Sequence, residues 1–368
     1  MQDKQERRKL RVGVIFGGRS GEHEVSLMSA RSVMNALDTE KYEVVPLGIT
    51  RSGRWIRGDV MKALVTGDET AVQPAAILPD RRGETASAAA GFDLIFPVLH
   101  GPYGEDGTVQ GLLQLAGLPY VGAGVAGSAV GMDKALFKSV MQAHDIPVLP
   151  WRLLLSSQWQ AAREQILTEL AEQFTYPIFT KPANLGSSVG ISKCRDRASL
   201  AAGLDEAARY DRRLVVEQGI DGRELEVAVL GNEEPVASVV GEIRPRREFY
   251  DYVAKYISDD SELIIPADLP PAVAEEARTL GLRAYRAIDC AGLGRVDLLL
   301  DKADGRLYLN EINTMPGFTA ISMYPKLWEA SGLSYAALLD RLIELALERH
   351  TAQLELETTV TAVTDIEN

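Results

Sequence analysis

The chain is poor in cysteine and histidine, and it has neither a long apolar run nor a basic stripe. Two of its 368 residues are cysteine, Cys194 and Cys290, far apart and outside any CxxC or Cys/His spacing. A structural zinc site is excluded, and a reducing compartment is expected. No uninterrupted apolar stretch reaches the roughly 18 residues that span a membrane. The start, MQDKQERRK, is polar and lacks the apolar h-region of a signal peptide. A cytoplasmic location without membrane contact is therefore expected. A net charge of −13 and a pI near 5.0 argue against a general nucleic-acid-binding surface. An acidic protein that handles phosphates must do so with locally placed Lys and Arg, or with metal ions.

What is present is ordinary for a soluble globular protein: 46% apolar and 25% charged residues, in a chain long enough for two or three domains. The first third alternates strands and helices. LRVGVIFGG (Leu10 to Gly18), YEVVPLGIT (Tyr42 to Thr50) and FDLIFPVLHG (Phe92 to Gly101) read as strands, His23 to Leu37 as a helix, and TVQGLLQLAG as a helix closed by Gly117. This predicts an open α/β (Rossmann-like) layer over residues 1–130, with ligand-binding loops at the strand C-termini. Arg51 to Gly91 gives no clear pattern. A helix over Met132 to Ala143 opens a second unit (131–220), with strands YPIFTKP, GISKC and RLVVEQ. A third unit (221–350) begins near Gly222 and ends in the helix SYAALLDRLIELALERH. The tail, 351–368, is expected to be disordered.

The strongest chemical signal lies in GRVDLLLD (Gly294 to Asp301) and RLYLNEINTMPG (Arg306 to Gly317). Both runs are β-prone, and Ala303, Asp304 and Gly305 between them read as a three-residue hairpin turn. Centring the hairpin on Asp304 sets Asp297 opposite Glu311. Strand alternation then points Arg295, Asp297, Glu311 and Asn313 the same way. Two carboxylates and an amide are hard oxygen ligands suited to Mg²⁺. A solvated face is the alternative, but apolar neighbours such as Val296 and Ile312 favour a buried pair, where clustered carboxylates need a cation.

Other loops fit a nucleotide site. Asn184 to Gly190 (NLGSSVG) joins two strands. Gly186 and Gly190 permit the backbone to turn N–H groups toward an anion, with Ser187 and Ser188 as hydroxyl donors and Lys181 just upstream. A plain hairpin is the alternative, and GxxxxGK[ST] is absent. Val215 to Ile220 reads as an inter-domain connector able to bond an adenine edge through its backbone and Glu217, with Glu224 in reach of a ribose; surface salt bridges are the alternative for both acids. At Gly17 to Glu24 the spacing is wrong for a dinucleotide fingerprint, but Glu22 near a helix start could hold an ammonium group. His100 to Gly107 is a second glycine-rich loop beside it, whose His100 is either structural or functional. Arg246 to Tyr256, aromatic and charged without a period, suits a closing loop or a surface loop.

In this order the pieces resemble the D-alanine–D-alanine ligases of the ATP-grasp superfamily. The resemblance rests on GGxSxEHEVS (Gly17 to Ser26), HGxxGEDG (His100 to Gly107), MDK (Met132 to Lys134), KP…GSSVG (Lys181 to Gly190), YDYxAKY (Tyr250 to Tyr256), and GxGRxDxxL with NEINTMPGFT (Gly292 to Thr319). It covers Gly17 to about Leu347. It implies three α/β domains with ATP between the central and C-terminal ones. Lys134, Lys181, Ser188 and Lys255 would meet phosphates, Glu217 and Ile220 the adenine, and Glu224 the ribose. Asp297, Glu311 and Asn313 would carry two Mg²⁺ ions, with Mn²⁺ as a substitute. Glu22, linked to Ser187 and Tyr256, would bind the first D-alanine. Val25, His100, Ser322 and Met323 would contact substrate, and Arg295 and the Gly317 N–H would face the oxyanion. The implied role is D-alanyl-D-alanine synthesis for peptidoglycan by a cytoplasmic homodimer.

Two features depart from the family's pattern: Arg51 to Gly91 is longer than in its shortest members, and Arg246 and Arg247 have no assigned contacts. The rival readings are a D-alanine–D-lactate ligase, which Tyr256 argues against, another ATP-grasp carboxylate–amine ligase, and a non-catalytic nucleotide-binding regulator, which would lack the metal ligands.

Overall fold

The computed structural model describes residues 8–75, 91–245 and 261–357, which form three β-sheets. The first contains β1 (Leu10–Gly17), β2 (Tyr42–Ile49), β3 (Trp55–Gly58), β4 (Val72–Pro74) and β5 (Leu94–Val98), in the order β4-β3-β2-β1-β5. β1 pairs in parallel with both β2 and β5. Val12, Val14, Ile15 and Phe16 are fully buried, which is why β1 reads as an apolar run rather than an alternation. The patternless stretch after Arg51 supplies β3, β4 and the helix Val60–Thr66, an antiparallel extension of the sheet's edge.

The second sheet contains β6 (Trp151–Leu155), β7 (Ile178–Pro182), β8 (Ser192–Cys194) and β9 (Arg213–Gln218), in the order β6-β9-β7-β8, all antiparallel. The strand read at RLVVEQ is β9, so the connector reading of Val215 to Ile220 is corrected for Val215 to Gln218. β9 is an interior strand, with Leu214 and Val216 buried on one face and Val215 packed with Ala135 and Ala183 on the other. The link to the next sheet is Gly219 to Asp221.

The helix predicted over Met132 to Ala143 is found at Lys134–Ala143, and a separate helix, Val125–Met132, precedes it. Asp133 between them is extended, and its carboxylate accepts from the N–H groups of Ala135 and Leu136, a cap of about 1 kcal/mol. The first of these helices packs closely against the third sheet's surroundings: a Cβ at Gly127 would stand 2.7 Å from the Asp289 carbonyl oxygen.

The third sheet contains β10 (Gly222–Gly231), β11 (Val236–Pro245), β12 (Ser261–Ile264), β13 (Gly292–Asp301) and β14 (Leu307–Asn313), in the antiparallel order β12-β11-β10-β13-β14. Helix Pro271–Ala287 covers one face, burying Ala277, Ala284 and Tyr285 against Val227 and Val296. On the other side, Phe318 and helices Met323–Ala330 and Tyr335–Leu354 share one core with the first sheet. Phe318 meets Phe96 edge-on at 6.1 Å between centroids. The last helix continues to Leu354, beyond the predicted start of the tail, because Thr351 to Leu354 keep the helical bonding on an exposed surface. Residues 358–368 lie outside the described residues.

Candidate active site

A cleft of about 1290 Å³ opens among the three sheets. Every predicted site residue that falls among the described residues lines it. Lys255 and Tyr256, and the rest of the stretch Arg246 to Tyr256, lie outside the described residues.

The hairpin β13–β14 places Asp297 opposite Glu311 and Arg295 opposite Asn313. The turn itself differs from the three-residue reading. Asp301 and Arg306 close it, leaving four loop residues with Gly305 in the left-handed region at φ 72°. A bulge at Asn310 restores the register, so that Asn310 and Glu311 both line the cleft. On the other side of β13, Glu226 of β10 pairs with Asp297. Three carboxylates, Glu226, Asp297 and Glu311, thus form a row across three neighbouring strands.

Such a row demands cations. Arg295 forms a bidentate pair with Asp297, 2.7 Å at each contact, and lies 3.0 Å from Glu226. Lys134 Nζ lies 3.8 Å from Glu311. Asn313 Nδ2 donates to Asp297 at 3.0 Å, so its amide oxygen is the remaining ligand atom. Asp297, Glu311 and Asn313 offer oxygen donors of the kind Mg²⁺ accepts while keeping water and phosphate oxygens in its other positions. The donor set fits a divalent ion.

Facing this row is a lysine cluster. Asp133 fixes the first turn of helix Lys134–Ala143, so Lys134 and Lys138, four residues apart, share one helix face. Lys134 Nζ donates to the Leu185 carbonyl at 2.7 Å. Lys138 and Lys181 each donate to one oxygen of Glu217. Burial alone would raise the Glu217 carboxyl, but the charges and hydrogen bonds of the two lysines outweigh it and hold it below the usual range. Burial, in turn, lowers Lys138.

The loop between β7 and β8 has the predicted position but different turning residues. Gly190 is left-handed, whereas Gly186 is not; Ser187 and Ser188 take φ 50° and 58° instead. Two consecutive left-handed serines cost roughly 1–2 kcal/mol each and indicate a loop held by its surroundings. Gly186 instead lies close under Glu22, since a Cβ there would stand 2.9 Å from Glu22 Oε2.

Glu22 sits at the N-terminus of helix His23–Ala36, almost fully buried, and accepts a hydrogen bond from Ser187 Oγ across the cleft. Ser20 Oγ ties the two glycine-rich loops by donating to the His100 carbonyl at 2.7 Å. His100 uses both ring nitrogens within the protein. Nδ1 donates to the Met315 carbonyl at 3.0 Å, and Nε2 accepts from Ser29 Oγ at 3.1 Å. Burial pushes its pKa down to about 4. Nearby Glu105 accepts from the Gly101 N–H at 2.6 Å. Its burial, and then the charge of Glu22, push its carboxyl up to about 8.

At the far end, Ser322 precedes helix Met323–Ala330, and its Oγ accepts from the Thr319 N–H at 3.1 Å. A Cβ at Gly317 would stand 3.2 Å from that Oγ. A helix N-terminus facing a cleft suits a carboxylate.

Sequence reasoning missed Lys138, Glu226 and Glu105 as individual site residues. Strand alternation from Glu224 could have found Glu226, and helical spacing from Lys134 could have found Lys138. Glu105 stands inside the HGxxGEDG motif, but nothing local announces its burial.

Two family models match the chain: D-ala D-ala ligase N-terminus over residues 11–123, and D-ala D-ala ligase C-terminus over residues 140–344. A D-alanine–D-alanine ligase of Heliobacterium modesticaldum is 52% identical over 350 residues, covering 93% of this chain and 96% of the relative. One from Deinococcus radiodurans is 52% identical over 343 residues, covering 92% and 99%. The D-alanine–D-alanine ligase structure from Coxiella burnetii superposes with a TM-score of 0.82 at 38% identity, over 94% of this chain and 96% of that one. VanG D-Ala:D-Ser ligase from Enterococcus faecalis gives 0.81 at 34% identity, over 92% and 100%. With both halves matched and the three-sheet architecture shared, the chain belongs to the D-alanine–D-alanine ligase family and has its ATP-grasp fold.

Proposed function

We propose that this protein joins two D-alanine molecules at the expense of ATP, giving D-alanyl-D-alanine, ADP and phosphate for peptidoglycan precursors. The observation that carries the reading is the convergence, in one cleft, of the Asp297–Glu311–Asn313 oxygens, the Lys134 and Lys181 ammoniums and the Glu22–Ser187 pair.

ATP lies between the second and third sheets. Lys134, Lys181, Ser188 and Lys255 neutralise its phosphates, Glu217 and the Ile220 backbone take the adenine edge, and Glu224 takes the ribose. Asp297, Glu311 and Asn313 hold two Mg²⁺ ions, or Mn²⁺ in their place. When bound, these ions supply charge neutralisation on the transferring phosphoryl group. Glu22, oriented by Ser187 and by Tyr256, holds the ammonium of the first D-alanine, with Val25 beside it. That substrate's carboxylate takes the γ-phosphoryl group, becoming an acylphosphate. Ser322 and Met323 hold the second D-alanine's carboxylate at the helix N-terminus, and His100 supports the wall through Met315. The second amine, once deprotonated, attacks the acyl carbon, and phosphate leaves. Arg295 and the Gly317 N–H stabilise the tetrahedral oxyanion, a contact worth about 3 kcal/mol in acyl transfer. Enclosure of the site keeps water from the acylphosphate.

The domain limits near residues 130 and 220, a homodimer formed through the first sheet's domain and a cytoplasmic location belong to the same reading. No helix among the described residues is long and apolar enough to cross a membrane.

The second substrate is the point of choice, because a D-Ala:D-Ser ligase shares the fold. Purified protein given ATP, D-alanine, D-lactate and D-serine together at neutral pH should release mainly D-alanyl-D-alanine. Predominant depsipeptide, or predominant D-alanyl-D-serine, would overturn the assignment.

A further inference from the structure

Lys138 has no part in the reading above, yet it is the most deeply buried lysine in the cluster, 1% exposed. It does not line the cleft, whereas its partner Glu217 and the neighbouring Lys181 do. Buried behind Glu217, to which it donates, it presents no surface to the cleft. Packing does not explain it either, since apolar residues of similar volume often replace a buried ion pair without loss of stability.

The register supplies a reason. Glu217 of β9 pairs with Phe179 of β7, which sets Lys181, two residues on, diagonally across the same face. Lys138 reaches the same carboxylate from the helix above, so two ammonium groups share one carboxylate, one on each oxygen. If Lys181 serves ATP phosphates, its hold on Glu217 weakens whenever nucleotide is bound. A carboxylate 2% exposed and left alone at that moment would take up a proton and lose its charge.

We propose that Lys138 is a positioning residue for base recognition: it keeps Glu217 an oriented carboxylate, able to accept from the exocyclic amine of adenine while Lys181 is engaged with phosphate. This rests on the assignment of Glu217 to the base and Lys181 to the phosphates.

The test compares binding of ATP with that of purine riboside 5′-triphosphate, which lacks the exocyclic amine, to full-length protein with Mg²⁺. The wild type should prefer ATP by about tenfold or more, the factor one charge-assisted hydrogen bond supports. Lys138→Met should bring that ratio close to one, and Lys138→Arg, which keeps the charge, should retain most of it. Should Lys138→Met fail to fold, Lys138→Gln, neutral but still able to donate a hydrogen bond, carries the same comparison and the same expectation. A purely structural role would weaken both nucleotides together and leave the ratio intact, which would overturn the proposal. Absence of any ATP preference in the wild type would instead sink the Glu217 assignment beneath it.

Discussion

His100 Nδ1 donates to the carbonyl of Met315 at 3.0 Å, joining the loop after β5 to the segment that leaves β14. This single bond connects the first sheet to the end of the carboxylate-bearing hairpin. The ring's other nitrogen accepts from Ser29, so the neutral Nδ1–H form completes the network. Protonation would place a hydrogen on Nε2, facing a hydroxyl that now donates to it and already receives the Phe318 N–H.

Acid sensitivity follows. The folded state holds His100 near 4, below its ordinary 6.5, so the unfolded chain binds the proton more readily. The stability this contributes is fully present above pH 6.5 and is lost as pH falls from about 6.5 toward 4. Between pH 7 and pH 5 the loss is about 2 kcal/mol. Urea unfolding of wild type and His100→Asn at both pH values checks it: the wild type should lose about that much more than the variant. Equal losses would contradict it.

Ser187→Ala removes the donor that orients Glu22. The expected result is a rise of about tenfold in KM for the first D-alanine, the worth of one hydrogen bond to a charged group, with KM for ATP nearly unchanged. Gly101→Ala should be worse. Gly101 has φ 76°, and a Cβ there would stand 2.4 Å from Glu22 Oε2. Steady-state kinetics in each substrate separately would expose a uniform effect, which would count against a specific role for Glu22.

Glu311→Gln keeps the shape of β14 and removes one charge from the carboxylate row. Turnover should fall about 100-fold or more, because metal-assisted charge neutralisation is worth several kcal/mol. The thermal midpoint without ligands should stay within a few degrees, since the residue is part-exposed and relief of carboxylate repulsion offsets its lost contact with Lys134. Calorimetric titration with Mg²⁺ and ATP gives a second readout, in which wild-type affinity would remove the ligand assignment.

Local chemistry was legible in the sequence and long-range pairing was not. Asp297 opposite Glu311 was read correctly although the turn has one residue more than supposed, because the bulge at Asn310 cancels the offset. Alternation alone cannot reveal a bulge. The phosphate-type loop was placed correctly, but its left-handed positions fell on Ser187 and Ser188 rather than on Gly186, since the Glu22 contact that stabilises them comes from 165 residues away. β9 itself was legible as the strand RLVVEQ, but its second half was also drawn into a connector, because the partners of its second face, Ala135 and Ala183, come from elements distant in sequence. Glycine and motif spacing located the loops and the family resemblance implied the Ser187–Glu22 link, whereas the pairing of Lys138 with Glu217 emerged only in the folded chain.

The central claim is that a D-alanine carboxylate is phosphorylated in this cleft and then attacked by a second amine. Incubation with ATP and D-alanine labelled with ¹⁸O in its carboxylate tests it directly, by mass analysis of the released phosphate. One labelled oxygen should appear in each phosphate formed per dipeptide. Unlabelled phosphate accompanying dipeptide formation would contradict the acylphosphate route.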